Sequence, residues 1–165
     1  MALFGPPDVV KLKARGKVEP LVRAARYKKD PAVRESARKV LEGMLDYLIG
    51  QLSTKNISHL TQVREALKLV GKPAVGKMIF VHTDHQSVQR RQDVTFVLGE
   101  MGDPEAVPVL ITALRDPDAL LRRLAADALG KLGDARAERP LRVALKDDNA
   151  IVAKSAAKAL RRLTG

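Results

Sequence analysis

Apolar positions in residues 71–165 follow two superposed rhythms. Within a segment they fall three and four residues apart, as one face of a helix requires. Val107, Leu110, Ile111 and Leu114 make one such face, and Leu120, Leu121, Leu124, Ala125, Ala128, Leu129 and Leu132 make the next. Between segments the pattern returns every 31 residues, at Leu67, Leu98, Leu129 and Leu160. Gly71, Gly102 and Gly133 keep the same interval, as do Pro73 and Pro104. A fixed period of this length predicts a stack of helix pairs, in which no repeat buries its apolar face alone.

The punctuation agrees with that rhythm. Asp103 is placed to cap a helix opened by Pro104, where a missing N–H costs nothing. Asp116-Pro117-Asp118 predicts a turn, and Gly133 suits the left-handed end of a helix. The cycle repeats over Ala135–Leu145, the turn Asp147-Asp148-Asn149, and a helix carrying Ile151, Val152, Ala156, Ala159, Leu160 and Leu163. In residues 72–102 the spacing predicts helices over Ala74–Val81 and Ser87–Met101, joined by the polar loop "HTDHQ". Upstream the period slips. Helices are expected over Thr61–Val70 and Leu45–Leu52, with a polar loop Ser53–His59 between them. A further pair is expected over Val18–Tyr27 and Pro31–Gly43, the latter kinked or nearly continuous with Leu45–Leu52 at Gly43-Met44. The expected organisation is an N-terminal arm or capping helix over 1–15. A single repeat domain follows over 16–165, with repeats near 16–43, 44–71, 72–102, 103–133 and 134–165.

These units resemble HEAT repeats, particularly the short bacterial kind known from phycobilin lyases. That pattern has a proline in the first helix, an aspartate eight residues later, then an apolar residue and an arginine opening the second helix. Pro108, Asp116, Leu121 and Arg122 match it at that spacing. The last unit keeps Asp147 and Val152 but carries Arg139 and Ala153 in the other two places. The first keeps Pro20, Val33 and Arg34 with Asp30 displaced. The third has His85 in the aspartate place and keeps Arg91. The resemblance spans roughly residues 16–165. It implies an all-α, right-handed α-solenoid of the armadillo/HEAT-like kind, with about five helix pairs, and is nearly silent on activity.

Composition narrows the functional classes. The chain has 165 residues, no cysteine and no tryptophan. Disulfides, thiolate metal sites and cysteine nucleophiles are therefore excluded, and a cytoplasmic location is expected. No run of 18 apolar residues suggests a membrane span. Net charge is +11, and the first 43 residues carry 11 Lys/Arg against 5 Asp/Glu. Such a balance suits nucleic acid, an acidic protein or an anionic membrane surface, or simply a well-solvated basic surface.

Candidate chemistry is sparse. His82, Asp84 and His85 share one segment, but no second His/Glu set faces them, and a solvated polar loop is expected there. The di-iron hydroxylases built on HEAT-type repeats use repeated His-Glu pairs, which this sequence lacks. No G-x-S-x-G occurs, and the glycines are read as repeat joints rather than a phosphate cradle. No cofactor, metal or catalytic residue is assigned, and the protein is not expected to be an enzyme. The arginines opening second helices form two groups. Arg34, Arg91 and Arg122 are read as a ladder, each aspartate capping its helix and bonding the arginine of its own or the next repeat. Arg90 and Arg123, with Lys131, Lys154 and Lys158, and with Arg34 and Arg38 at the other end, are the expected binding residues. They sit on the row of second helices, read as a concave face for another macromolecule, chiefly a protein with an acidic or extended segment. The alternatives are nucleic-acid binding through the basic N-terminal third and an accessory role in a phycobilin-lyase-like enzyme. The arm 1–15 is expected to cap the stack.

Overall fold

The computed structural model describes residues 18–84 and 87–165. The expected N-terminal arm and His85 lie outside the described residues. Ten α-helices are described: α1 (Val18–Ala25), α2 (Pro31–Glu42), α3 (Leu45–Gly50), α4 (Ile57–Val70), α5 (Lys72–Asp84), α6 (Val88–Met101), α7 (Val107–Ala113), α8 (Ala119–Leu132), α9 (Glu138–Ala144) and α10 (Ala150–Thr164). No strand occurs among the described residues. The fold is all-α, and its helices follow one another in pairs. The chain separates into two compact units, Met1–Ala74 and Val75–Gly165.

In the first unit α1 packs on α2 and α4, and both α2 and α3 pack on α4. Leu21, Leu41, Leu48 and Leu67 are fully buried there. Asp30 caps α2, its carboxylate accepting the Ala32 N–H at 2.8 Å, with Pro31 in the first turn. Two expectations need correction here. Gly43 and Met44 separate α2 from α3 as distinct helices, because the Met44 N–H turns back to the Leu41 carbonyl. The loop expected over Ser53–His59 is shorter, because Asn56 accepts the His59 N–H at 3.0 Å and starts α4 at Ile57.

In the second unit α6, α8 and α10 lie side by side, α7 packs on α8, and α9 packs on α10. The first helices of the last two pairs open with one 3-10 turn, Pro104–Ala106 and Ala135–Ala137. There Asp103 and Asp134 accept the Glu105 and Arg136 N–H groups at 2.9 Å. Gly102 and Gly133 end α6 and α8 at φ 70° and 67°, the left-handed conformation their places in the pattern predicted. Leu98, Leu110, Leu121, Leu129 and Leu141 form the fully buried core.

Not every glycine is a joint. Gly99 and Gly130 sit inside α6 and α8, where neighbouring helices touch. A Cβ on Gly99 would lie 2.6 Å from the Ala128 Cβ, and one on Gly130 would lie 2.7 Å from the Ala159 Cα. Such distances are below any van der Waals contact, so the second helices approach through glycine against alanine. The missing Cβ lets the two helix backbones approach closely.

Candidate functional site

The arginine ladder exists, but its direction and its capping residues differ from expectation. Arg122 grips Asp147 of the following repeat with both arms, Nε to Oδ2 at 2.8 Å and Nη2 to Oδ1 at 2.9 Å. Its Nη1 donates to the Asp116 and Pro117 carbonyls of its own turn at 2.9 and 3.0 Å. Arg91 likewise reaches forward to Asp116 at 3.0 Å. Each aspartate therefore bonds the arginine of the repeat before it. The cause is geometric: an arginine opening a second helix projects across the interface towards the next turn. Asp116 and Asp147 do not cap helices. They hold their turns, accepting the Asp118 and Asn149 N–H groups at 2.9 Å. Asp118 and Asn149 do the capping. The Arg122 guanidinium keeps the Asp147 carboxyl below its ordinary range, and the same bond raises Arg122. Among the described residues Arg34 makes only the backbone half of this arrangement, donating to the Tyr27 and Lys28 carbonyls at 3.2 Å. Pro20 and Pro108 lie in the first helices α1 and α7, as the repeat pattern places them.

The expected binding residues divide between the units. In the first, Arg34 and Arg38 line one shallow groove with Pro31, Glu35 and Lys68, and Arg38 Nε donates to the Leu69 carbonyl at 2.8 Å. In the second, Arg123, Lys131 and Lys158 line a groove of about 310 Å³ across α6, α8 and α10. Lys154 is exposed one turn before Lys158 on α10, and Arg90 is half-buried at the start of α6. Arg123 meets Asp127 one turn on at 3.3 Å. Lys131 bonds Glu100 of the adjacent helix and stands over the Phe96 ring, 5.3 Å from its centroid.

Sequence reasoning gave no binding role to six lining residues of this groove: Phe96, Leu124, Asp127 and Arg162, with the small Gly99 and Ala128. The signal that finds three of them is the period itself. Phe96, Asp127 and Lys158 form one column at intervals of 31, and Glu100, Lys131 and Arg162 form another. Helices that pack side by side in register bring such columns to one face. The lining holds four basic side chains (Arg123, Lys131, Lys158, Arg162) and one carboxylate (Asp127), on a floor of Phe96, Leu124 and Ala128.

The His82 segment departs most from expectation. It is not a solvated loop, because α5 continues through it to Asp84. His82 is buried, only 6% exposed, and burial pushes its imidazole below the ordinary value of 6.5. The nearby Arg91 guanidinium pushes the same way, and Asp116 opposes both. No group of three or more His, Cys, Asp or Glu side chains that could hold a metal occurs among the described residues. No described helix is long and apolar enough to cross a membrane.

Paired helices, a 31-residue period and arginine–aspartate bridges between repeats define a helical-repeat solenoid. The chain belongs to the HEAT repeat family, whose model matches residues 78–161, just over half of its length. A search of curated proteins found no match. Among solved structures, human deoxyhypusine hydroxylase is similar, at 22% identity and a TM-score of 0.58 over 94% of this chain. The chain spans 66% of that structure's length. At this identity the likeness shows the fold alone. A designed armadillo repeat protein in complex with the peptide (KR)4 is 16% identical, with a TM-score of 0.48 over 96% of this chain and 87% of its own. That likeness is too slight to extend the reading.

Proposed function

We propose that the protein is a non-catalytic scaffold of the cytoplasm. Its face of second helices, α6, α8 and α10, docks an extended acidic segment of another protein. The observation that carries this reading is the groove over Phe96 and Leu124, with its four basic side chains against one carboxylate. Arg123 and Lys131 already face carboxylates on their own surface. The attraction for a ligand therefore falls mainly on Lys158, Arg162 and the neighbouring Lys154, all exposed. An apolar floor with a cationic rim suits alternating Leu and Glu. The charges set association rate and salt dependence, and the floor sets residence time. The short phycobilin-lyase type of repeat, and an accessory role in such an enzyme, rest on the resemblance of the repeats alone.

Fluorescence anisotropy with a labelled peptide of alternating Glu and Leu tests the proposal. Lys158→Glu plus Arg162→Glu is expected to weaken binding by about tenfold or more, since reversing rim charges replaces attraction by repulsion. Equal binding by the double variant sinks the reading. Tighter, steeply salt-dependent binding of duplex DNA than of the peptide favours the nucleic-acid alternative.

A further inference from the structure

A larger pocket in the second unit shares no lining residue with that groove and takes its walls from α5, α6 and α7. Its volume is about 590 Å³, within the ~300–1,000 Å³ usual for small-molecule sites. Ile79, Pro108, Val109 and Ala113 supply apolar walls. His82 lines it while only 6% exposed, and its Nε2 has no hydrogen-bond partner among the described residues. A buried polar atom left this way calls for an explanation, because folding gives nothing back for its desolvation.

The other polar groups of the lining are already engaged. The Thr83 hydroxyl donates to the Ile79 and Phe80 carbonyls at 3.2 and 2.9 Å, and the Thr112 hydroxyl donates to the Pro108 carbonyl at 3.2 Å. Arg91 and Asp116 are paired at 3.0 Å, one charge against the other. Glu105 is exposed and has an interaction of its own. What is left for a ligand is the His82 Nε2, and charge is disfavoured beside it. Burial holds the imidazole below its ordinary value, Arg91 adds to that effect, and Asp116 opposes it. The ring is therefore neutral at pH 7, and a cation at Nε2 meets the same penalties as the imidazolium. An anion meets the same burial, with Asp116 and Glu105 in the same lining. An uncharged group avoids both costs. The Nε2 of a neutral imidazole is a donor in one tautomer and an acceptor in the other, and a hydroxyl answers either.

We propose that this pocket binds a small uncharged hydroxyl compound, an alcohol or phenol with an apolar body. The hydroxyl bonds His82 Nε2, and the apolar body packs between Ile79 and Val109. The site and the groove of the second helices have no residue in common, so the two proposals stand or fall separately.

The test is an NMR titration of the full ¹⁵N-labelled chain at pH 7 with four probes of one shape: 2-phenylethanol, ethylbenzene, 2-phenylethylamine and 3-phenylpropionate. The alcohol is expected to shift the His82 ring nitrogens saturably. Ethylbenzene is expected to bind about fivefold more weakly, the worth of one hydrogen bond. The charged amine and acid are each expected to bind about tenfold more weakly or less, because burying a charge costs more than burying a hydroxyl. His82→Leu is expected to remain folded, because an apolar replacement of an unsatisfied buried group is near neutral. In that variant, followed through the backbone amides around the pocket, the alcohol loses its advantage over ethylbenzene. Should the variant fail to fold, the ranking of the four probes on the parent chain decides alone. No saturable shift with the alcohol means that the pocket holds only water, and it overturns the proposal. Ethylbenzene as tight as the alcohol, either charged probe as tight, or an alcohol advantage that survives in His82→Leu overturns it as well.

Discussion

The two compact units are both built from paired helices but are held together by different means. In Val75–Gly165 the period is kept, and it places the same devices at each helix interface: glycine against alanine between second helices, and arginine to the next aspartate between turns. In Met1–Ala74 the period slips and neither device is complete. The residue 31 positions before Gly99 is Lys68, which is exposed. Arg34 bonds only carbonyls of its own turn, and Arg38 reaches a backbone carbonyl of α4. Regular spacing allows side chains to pair with side chains across an interface. Irregular spacing leaves Arg34 and Arg38 to backbone carbonyls, and among the described residues the ion pair of Arg26 with Glu65 of α4 is not repeated at a second interface.

The glycine contacts give the largest expected test of this contrast. Gly99→Ala raises helix propensity by about 1 kcal/mol, yet it is expected to destabilise by about 1–3 kcal/mol because Ala128 has no room to yield. Gly130→Ala is expected to behave alike against Ala159. Lys68→Ala, the corresponding change in the other unit, is expected to stay within about 0.5 kcal/mol. Urea unfolding at neutral pH measures all three. A stabilised Gly99→Ala protein would mean that the close approach of α6 and α8 is wrong.

The ladder gives the next effect. Arg122→Leu leaves Asp147 without its bidentate partner and is expected to cost about 1.5–3 kcal/mol, more than Arg38→Ala, whose side chain is exposed. The pH dependence has a definite sign. The folded Asp147 pKa is depressed, so its contribution is present above the unfolded carboxylate value near 4 and is lost as pH falls through the folded value. Thermal melts at descending pH should show Arg122→Leu losing less stability over that acidic range than the parent, since its Asp147 keeps only the Asn149 N–H and has less to lose. Identical acid profiles would remove the ladder as a source of stability.

The smallest effect concerns Thr95, fully buried in α6, whose hydroxyl has no hydrogen-bond partner among the described residues. The next two places in its column are Ala126 and Ala157. Thr95→Val keeps the shape and removes the unsatisfied oxygen, so it is expected to be neutral or to stabilise by about 1 kcal/mol. A clear loss in the same unfolding assay would show that the hydroxyl has a partner in solution.

Much of the fold was legible before any coordinates. Leucine spacing placed the second helices, and Asp/Asn-plus-Pro/Gly punctuation placed their ends, because those signals act within a few residues of chain. The face of the second helices was legible in part. Arg123, Lys131 and Lys158 do share one groove, but Phe96 and Arg162 were overlooked although the 31-residue columns pointed to them. His82 was misjudged because "HTDHQ" reads as polar, whereas the structure buries it beside Arg91, Val109 and Asp116 in one pocket lining, a juxtaposition that hydrophobic periodicity does not encode.

The repeating sequence by itself determined an all-α chain of paired helices and the residues that cap, turn and stop them, because local backbone preferences settle those features. Only the tertiary structure decided which way the arginines reach, which glycines are contacts rather than joints, and that a histidine lies buried beside a pocket. Those outcomes depend on distances between helices far apart in the chain, set by the packing of Leu, Ala and Gly surfaces rather than by any residue's neighbours in sequence.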